Sequence, residues 1–464
     1  MEYREYKVDS ISMEFQNMIP QTMHAYNAFF GLAEDVTERK IKTVTFQVTE
    51  DCNLCCTYCY QTNKAKNSMS FEVAKKFIEL LIEDSYKEDT YFSLTKTKGI
   101  IVEFIGGEPL LEIELIDQIT DYFRGRLIEL KHPWVSFFRL SMISNGVLYF
   151  DERVQKYLEK NKHLVSFGIS LDGCKELHDA CRVFSNGQGS YDIASAAAID
   201  YMKRFDSAIS TKMTFAPENV EYAYDAIVNL VNLGYKSIQC NPIYEDKWNS
   251  EHPKIYYQQL KKIADYSLEN KLYEYLFIRV FDAHGGFPND IEKYNENYCG
   301  STGHMLACDY KGDIYPCIRF MKTSLGDSVK PYKIGDINNG INKAPEDRKL
   351  VNLLDSITIT SQSDDECINC PIATTCGWCT ALNYQTFGTP NKRLKSICGM
   401  HKAKILANVY YWNQVYLKGG YSNPAYEMRV PKEWALEIID EDEYNMLLGL
   451  VEALKASRGE DNAL

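Results

Sequence analysis

Residues 43–60 read TVTFQVTEDCNLCCTYCY, a β-rich apolar run that passes directly into a cysteine loop. The run 43–48 predicts a strand, so Cys52, Cys56 and Cys59 lie in a loop at a strand's carboxyl end. Three thiolates at this spacing can hold one [4Fe-4S] cubane and leave one iron without a protein ligand. The alternative, a structural zinc knuckle, takes four protein ligands. The loop therefore favours an iron-sulfur cluster whose open iron can bind a small molecule.

Composition limits the class of protein. The chain has 464 residues, 45% of them hydrophobic and 25% charged, which is typical of a folded globular protein. The net charge of -13 disfavours a nucleic-acid partner. Because there is no apolar signal segment and no stretch nears the ~18 apolar residues of a membrane span, we expect a cytoplasmic protein with no membrane partner. Fifteen cysteines in such a chain predict metal binding or chemistry, not disulfides.

Apolar β-rich runs alternate with segments of helical period between residues 40 and 280. This alternation predicts the α/β class, with a parallel sheet and crossover helices. Six β/α units fit an open structure better than a closed one, so we predict a partial (β/α)6 TIM-type barrel. Its predicted strands are 43–48, 99–105, 137–144, 164–170, 210–215 and 237–242, and its clearest predicted helices are 71–85 and 218–233. Ligands of such sheets gather at the carboxyl ends of the strands.

The segment 104–109, at the end of the second predicted strand, reads FIGGEP. Alone it is a turn signal, but beside Cys52-x3-Cys56-x2-Cys59 it resembles the radical S-adenosylmethionine (SAM) superfamily. The resemblance implies that SAM chelates the open iron and that an electron from the cluster cleaves it to a 5'-deoxyadenosyl radical. It also implies that Tyr58 contacts the adenine. The implied contacts of the methionyl ammonium are Gly106, Gly107, Glu108 and Pro109.

Two further strand ends extend the resemblance. Ser144 and Asn145 match a family position where polar side chains meet the ribose. The segment 170–173 reads SLDG, HDxxR follows at 178–182 and GQGSY at 187–191, as in one branch of the superfamily. The resemblance implies SAM contacts from Ser170 and Asp172 and a pairing of Arg182 with the methionyl carboxylate. We expect His178 to be a hydrogen-bonded core histidine and not a catalytic one.

Seven cysteines between residues 299 and 398 resemble the SPASM domain, which follows such barrels and holds two auxiliary [4Fe-4S] clusters. The usual pattern has three residues where only two separate Cys376 from Cys379. Two zinc sites are the alternative, which thiolate spacing alone does not exclude. With the first loop, the resemblance implies three [4Fe-4S] clusters. It assigns Cys367, Cys370, Cys376 and Cys398 to the outer auxiliary cluster and Cys299, Cys317 and Cys379 to the inner one.

Cys308 is the favoured fourth ligand of the inner cluster. Residues 305–309 and 313–317 predict two strands, and a two-residue turn between them places Cys308 opposite Tyr315 and on the face of Cys317, roughly 7 to 8 Å away between Cα atoms. Otherwise the inner cluster keeps an open iron, which in some relatives is thought to capture a substrate thiolate. The remaining cysteines are expected to be buried and free, with Cys240 facing the substrate side of the barrel: Cys55, Cys174, Cys181 and Cys240.

The resemblance divides the chain into an N-terminal segment (1–40), a radical SAM partial barrel (41–290), a SPASM auxiliary-cluster domain (291–400) and a C-terminal helical extension (401–464). Many relatives with this plan carry a leader-binding winged-helix domain ahead of the barrel. About 40 residues precede the first strand here, too few for that module, so we expect leader binding elsewhere. An acidic run at 437–443 is expected to be a solvated face.

Barrel and SPASM domain together imply a peptide substrate. We predict a maturase that installs thioether cross-links, from a cysteine sulfur to a carbon of another residue, in a ribosomally made precursor peptide. A flavodoxin- or ferredoxin-type protein would donate the electron, and no general base is assigned. One alternative is an anaerobic sulfatase-maturating enzyme, but Ile318 stands where that family carries an aspartate base. The others are a peptide carbon-carbon cross-linking enzyme and a non-catalytic cluster protein, which would have no need of the SAM motifs.

Overall fold

The computed structural model describes residues 41–88, 90–205, 210–245, 247–297, 299–327 and 329–458, so the N-terminal segment predicted at 1–40 lies outside the described residues. Strands in this part of the chain are β1 (Ile41–Gln47), β2 (Gly99–Ile105), β3 (Phe138–Ser144), β4 (Val165–Ile169), β5 (Ser210–Phe215), β6 (Ser237–Pro242), β7 (Phe277–Ile278), β8 (Met305–Cys308), β9 (Asp313–Tyr315), β10 (Gly335–Asp336) and β11 (Gly340–Ile341).

The helices alternate with the first seven strands and then dominate. Those among the strands are α1 (Phe71–Ser85), α2 (Ile113–Glu129), α3 (Glu152–Asn161), α4 (Lys175–Cys181), α5 (Tyr191–Phe205), α6 (Ala223–Asn232) and α7 (His252–Glu269). Those that follow are α8 (Lys322–Leu325), α9 (Pro345–Asp355), α10 (Ile359–Gln362), α11 (Asp365–Ile368), α12 (Thr380–Phe387), α13 (Cys398–Gly419), α14 (Lys432–Ala435) and α15 (Glu441–Ala456).

The first seven strands form a partial barrel. Strands β1 to β4 pair in parallel and in chain order, and β5 to β7 form a second parallel sheet. Thr211 links the two sheets, because its hydroxyl donates to the Leu171 carbonyl at 2.7 Å and accepts from the Leu171 amide at 3.3 Å. The predicted α/β class and partial barrel are confirmed, and β7 is a short addition to the six predicted strands.

One face of each barrel strand packs on the helices. Phe46 of β1 contacts Phe77 of α1 with ring centroids 5.1 Å apart, and Phe215 of β5 contacts Tyr256 of α7 at 5.6 Å. Because side chains alternate along a strand, the residues between these buried positions face the barrel interior. The hydrophobic core therefore lies between the sheet and its helices, and the carboxyl ends of the strands present the predicted SAM motifs.

Cys240 lies on the helix side of β6, so the expectation that it faces the substrate side is wrong. It is buried with Ile238, and its charge would act on Tyr256 of α7. Strand alternation directs Gln239 and Asn241 to the interior instead. The end of a strand was predicted correctly here, but the face on which each residue lies depends on the register of its first buried residue.

Strands β8 and β9 extend the barrel sheet beyond β1, and their turn differs from the prediction. The Asp309 amide donates to the Asp313 carbonyl at 3.0 Å, so three residues, not two, form the turn. Cys308 consequently pairs with Ile314, while Tyr315 pairs with Ala307. Because side chains alternate with a period of two, this shift removes the basis for placing Cys308 on the face of Cys317.

The last part of the described chain packs against the barrel. Helix α13 lies between α7 and α15, and the Ser267 and Tyr411 hydroxyls are 2.9 Å apart across the first contact. The boundary predicted after residue 400 falls inside α13. The acidic run is partly structural, since Asp440 caps α15 by accepting from the Glu443 amide at 2.8 Å and Glu443 pairs with Lys261 at 2.7 Å. Among the described helices, none has the length and apolar character needed to cross a bilayer.

Candidate functional site

The Gly-Gly turn after β2 packs directly on the cysteine loop. A Cβ added to Gly107 would stand 2.2 Å from the Asp51 carbonyl oxygen, and one added to Gly106 would stand 2.7 Å from that of Thr49. The Gly107 and Glu108 amides donate to the same carbonyls, of Thr49 at 3.2 Å and of Asp51 at 2.9 Å. The two glycines are therefore required for the close approach of β2 to the loop, whatever ligand binds there.

The Glu108 carboxylate is a buried anchor between the predicted SAM segments. It accepts hydrogen bonds from the Ser144 hydroxyl at 2.8 Å, the Asn145 amide at 2.8 Å and the Leu110 amide at 3.0 Å. Burial raises the pKa of Glu108, and these donors oppose the shift. The Asn145 side chain donates in turn to Asn53 of the cysteine loop at 2.6 Å. Because three of its roughly four lone-pair directions are occupied, Glu108 retains little capacity for a ligand ammonium.

Pro109 and Ser170 complete this part of the site. Pro109 is buried and begins a short 3-10 helix, Pro109–Glu112, that turns the chain away from the loop. The Ser170 amide donates to the Ser144 carbonyl at 2.8 Å, which brings the ends of β3 and β4 together. The structure thus places the predicted contacts from three strand ends around one loop.

Asp172 and Arg182 form a buried ion pair beside that loop. The Arg182 Nε donates to Asp172 Oδ2 at 2.7 Å and its Nη2 to Oδ1 at 3.2 Å. The Tyr58 hydroxyl donates to the same carboxylate, and the guanidinium lies 5.4 Å from the Tyr58 ring centroid. The charge of Arg182 lowers the pKa of Cys56, so the guanidinium lies near the first cysteines. Three of its five N–H donors remain, which suits recognition of a carboxylate.

His178 is a core histidine that supports this ion pair. Its Nδ1 accepts from the Asp172 amide at 3.3 Å, and its Nε2 is 3.0 Å from the Ser190 hydroxyl. Ser190 donates onward to the Arg182 carbonyl at 2.9 Å. Burial lowers the pKa of His178 to about 4, so the ring is neutral at physiological pH. His178 therefore links the backbones of Asp172 and Arg182, as expected for a structural residue.

Cys52, Cys56 and Cys59 lie close enough that their thiolates act on one another. Burial raises the pKa of Cys56 to about 11, and the Cys59 and Cys52 charges contribute to the shift. A buried thiol with a raised pKa stays protonated near pH 7 unless a cation binds the thiolate. Lys64 lies beside all three, and although burial acts to lower the pKa of Lys64, the Cys59 and Cys52 charges outweigh it and raise that pKa.

A second group joins Cys299, Cys317 and Cys379. Burial raises the pKa of Cys317, the charges of the other two thiols add to the shift, and Arg319 opposes it. Tyr60 connects this group to the first loop, because the charges of both Cys59 and Cys317 act on its hydroxyl and the Arg319 guanidinium lies 4.7 Å from its ring centroid. The structure thus brings together three of the four cysteines assigned to the inner cluster.

Cys308 lies elsewhere. It is fully buried in β8, and its thiol donates to the Asp309 carbonyl at 3.5 Å. Burial raises its pKa, and the charges that add to the shift are those of Asp309 and Asp313, with none from a cysteine. The register and these surroundings give no support to Cys308 as a cluster ligand.

A third group consists of Cys367, Cys370, Cys376 and Cys398, the four residues assigned to the outer cluster. Burial raises the pKa of Cys376 to about 12, and the charges of the other three thiols all contribute. Tyr244 lies between this group and the second, since the charges of Cys379 and Cys376 both act on it. The three groups therefore follow one another through the molecule, joined by two buried tyrosines.

Arg393 is the cation of the third group. Its charge lowers the pKa of Cys376 and Cys367, and its guanidinium lies 4.3 Å from the Trp378 ring centroid. Its Nε and Nη2 are buried and have no hydrogen-bond partner within the described ranges. Since buried unpaired donors are costly, an anionic centre held by the four cysteines fits this arrangement. Among the described residues no three His, Cys, Asp or Glu side chains converge on a single-ion site, which does not favour the zinc alternatives.

Residues 46–198, which carry the first cysteine loop, the Gly-Gly turn and Arg182, match the family described as the radical SAM superfamily. This part of the chain is a radical SAM domain. Members of the superfamily bind SAM and a [4Fe-4S] cluster, and the radical SAM domain places the predicted contacts of both at one end of its barrel.

The whole chain is similar to enzymes that contain such a domain. It is 27% identical over 289 residues to the cysteine-type anaerobic sulfatase-maturating enzyme of Clostridium perfringens (strain ATCC 13124), covering 57% of this chain and 71% of that protein. It is 22% identical over 375 residues to the antilisterial bacteriocin subtilosin biosynthesis protein AlbA of Bacillus subtilis (strain 168), covering 79% and 72%. The solved structure of anSMEcpe with bound AdoMet and Cp18Cys peptide matches with a TM-score of 0.58 at 19% identity, covering 82% of this chain and 99% of that one, so the fold is shared.

The four cysteines expected to be buried and free divide in two. Cys181 and Cys240 are buried, Cys174 is partly buried and Cys55 is exposed, which corrects the expectation for Cys55. Lys64, Arg319 and Arg393, the cations beside the three cysteine groups of this radical SAM protein, were not identified from the sequence. A single basic residue in a loop has no periodic or spacing signal, and only the fold shows what it faces.

Proposed function

We propose that this chain is a radical SAM peptide maturase that forms thioether cross-links in a ribosomally made precursor peptide. In this proposal Cys52, Cys56 and Cys59 hold the SAM-binding cluster, and the second and third cysteine groups hold the two auxiliary clusters of a SPASM domain. When bound, the reduced first cluster and SAM supply the radical that removes a hydrogen from the peptide. A flavodoxin- or ferredoxin-type protein is the proposed electron donor.

The chain's own residues bind and orient SAM. Arg182, held by Asp172, offers its free N–H donors to the methionyl carboxylate, and Tyr58 positions both groups through its hydroxyl. Backbone carbonyls of the Gly-Gly turn are the proposed acceptors for the methionyl ammonium, because Glu108 is occupied by three donors of the protein. The interior faces of the barrel strands receive the peptide and shield the reacting groups from water.

The composition of the second cysteine group carries the choice of thioether formation. Cys299, Cys317 and Cys379 lie together and Cys308 lies apart. Three thiolates around a cubane leave one iron open, and a thiolate of the peptide is a suitable fourth ligand there. Such a site holds the sulfur that must join carbon, whereas a fully ligated cluster serves only for electron transfer.

A formylglycine-forming activity is the second candidate, and the similarity to a sulfatase-maturating enzyme favours it. That reaction needs a base, which the family carries directly after the residue matched by Cys317. Here Ile318 follows Cys317, and the next residue, Arg319, is paired with Glu245 at 2.8 Å. The carboxylate near this group is therefore already engaged by a cation.

Mass spectrometry of the product distinguishes the candidates. The anaerobically reconstituted enzyme is incubated with SAM, a reductant and the short cysteine-containing peptide encoded beside its gene. A thioether removes two hydrogens and makes one cysteine resistant to iodoacetamide. A carbon-carbon cross-link removes two hydrogens and leaves every cysteine reactive, and formylglycine formation replaces sulfur with oxygen. Either of the last two products would overturn the proposed thioether chemistry.

A further inference from the structure

The barrel interior carries a belt of polar side chains at one height. In β1 to β4 the strand register aligns four interior residues, and in β5 to β7 it aligns three more. The Arg279 amide donates to the Ile238 carbonyl at 3.1 Å and so continues the pairing of β7. TIM barrels usually fill this space with branched apolar side chains, so a polar belt lines a space that a ligand can enter. The members of this interior belt are Thr45, Glu103, Ser141, Ser166, Lys212, Gln239 and Arg279.

Two cations stand side by side in the interior belt. Lys212 and Arg279 flank Gln239, and Arg279 Nη1 donates to the Gln239 side-chain oxygen at 3.4 Å. Both cationic side chains are reached by water. Protein atoms nevertheless surround Lys212, because burial lowers its pKa, with Glu103 opposing and Arg279 adding to the shift. Its ammonium makes no hydrogen bond or ion pair to another residue of the described ranges.

The one carboxylate of the interior belt does not balance these charges. Glu103 accepts from the Thr45 hydroxyl at 2.6 Å, and the charge of Lys212 acts on it only across the interior. The arginines nearer the cysteine groups have their own carboxylates, since Arg319 pairs with Glu245 at 2.8 Å and Arg182 with Asp172 at 2.7 Å. The interior belt therefore retains an excess of positive charge that faces open space.

The two cations lie directly beneath the SAM motifs. Thr214 is two residues beyond Lys212 on β5, and its amide donates to Asp172 at 3.4 Å. Two residues of a strand span about 7 Å. A group bound between Lys212 and Arg279 is thus one short side chain deeper in the barrel than the ion pair of Asp172 and Arg182.

We infer that Lys212 and Arg279 bind a carboxylate of the peptide substrate, so that an acidic residue enters the barrel and sets which neighbouring residue reaches SAM. This inference rests on the proposed function, because it requires that the substrate is a peptide. An ammonium and a guanidinium on adjacent strands match the two oxygens of a carboxylate, and the Gln239 amide between them adds a donor. The acidic residue would be recognised by charge and by depth in the barrel.

Binding of three capped tripeptides tests the inference. The probes are acetyl-Gly-Asp-Gly-amide, acetyl-Gly-Asn-Gly-amide and acetyl-Gly-Asn-Gly with a free carboxyl terminus, measured by equilibrium dialysis against the reconstituted enzyme with SAM. We expect the aspartate probe to bind about tenfold more tightly than its asparagine counterpart, as a charge-assisted contact gives. Equal binding by the two free-carboxylate probes would assign the site to any carboxylate, and tighter binding by the third to a chain terminus. Equal binding by all three probes would overturn the inference.

Variants locate the effect. Lys212→Gln and Arg279→Gln are each expected to reduce binding of the aspartate probe to the asparagine level. Lys236→Gln is the matched control, because Lys236 precedes β6 at its amino end and its ammonium lies 4.7 Å from the Tyr275 ring centroid. Aspartate preference that persists in both interior variants would refute the inference.

Folding is checked by iron content and by SAM binding, and a variant that loses either is replaced by Lys212→Met or Arg279→Lys. The outcome is separate from that of the proposed function. A precursor peptide can lose two hydrogens without any acidic preference, and the acidic preference can stand where the product is not a thioether.

Discussion

The Arg182 guanidinium donates two hydrogen bonds to the Asp172 carboxylate, Nε to Oδ2 at 2.7 Å and Nη2 to Oδ1 at 3.2 Å. Both residues are buried, and the backbone of each is tied to the other through His178 and Ser190. The pair therefore fixes the plane of the guanidinium before any ligand arrives. Its remaining donors have a defined direction toward the cysteine loop.

Asp172→Asn tests this orientation, because it removes the charge and keeps the shape. Loss of one partner leaves a buried guanidinium uncompensated, a change that costs about 3 kcal/mol or more. We expect the free energy of unfolding in urea to fall by about that amount and the dissociation constant of SAM to rise at least about tenfold. Asp192→Asn is the control, since Asp192 is exposed and pairs only at the surface with Lys175. Unchanged SAM affinity in Asp172→Asn would contradict the assigned role of Arg182.

Gly107→Ala tests the contact between β2 and the cysteine loop. Its Cβ would overlap the Asp51 carbonyl oxygen at 2.2 Å, so the loop must move and the first cluster should be lost. Iron analysis after reconstitution is expected to fall from about twelve to about eight atoms per chain. Gly125→Ala in α2 is the control, because its Cβ would meet no atom within 4 Å and alanine should stabilise the helix by about 0.5 to 1 kcal/mol. Full iron content in Gly107→Ala would refute the steric argument.

Much of the barrel could be predicted from the sequence because its information is local. Runs of apolar β-formers locate each strand, and the motif residues follow the strand ends directly. The predicted helix 71–85 has the same bounds as α1, where Ser70 caps the first turn by accepting from the Val73 amide at 3.2 Å. The residues that bind and support SAM could be found in the same way.

Features that depend on register could not be predicted. Gly312 adopts a φ of 90°, which suits a two-residue and a three-residue turn alike, and this single residue decides what Cys308 faces. The interior belt combines residues from Thr45 to Arg279, and its members become neighbours only once seven strands are aligned. The role of Arg393 likewise depends on a contact between loops that no spacing pattern describes.

Cys308→Ala and Cys317→Ala together test the composition of the second cysteine group. Because Cys308 lies in the sheet apart from the other cysteines, its loss should leave about twelve iron atoms per chain. Loss of Cys317 should remove the inner cluster and leave about eight. The smaller side chain at the buried position of Cys308 is expected to cost roughly 1 kcal/mol of stability, which urea unfolding measures. A loss of about four iron atoms in Cys308→Ala would restore Cys308 as the fourth ligand and remove the main support for thioether formation.

Arg393→Gln tests whether the third cysteine group holds a redox-active anionic cluster. A positive charge about 6 to 10 Å from a cluster, at an effective dielectric constant of about 20, favours the reduced form by about 2 to 3 kcal/mol. The outer cluster should therefore become harder to reduce in the variant, with its midpoint potential lower by on the order of 100 mV for one electron. Arg393→Lys keeps the charge and should recover most of the shift, although it lacks the stacking of the guanidinium on Trp378. A potentiometric titration followed by electron paramagnetic resonance measures the change, with the exposed Arg153→Gln as control. Equal potentials in all four proteins, at full iron content, would show that Arg393 does not face the cluster, and bound zinc in place of iron would refute the cluster assignment itself.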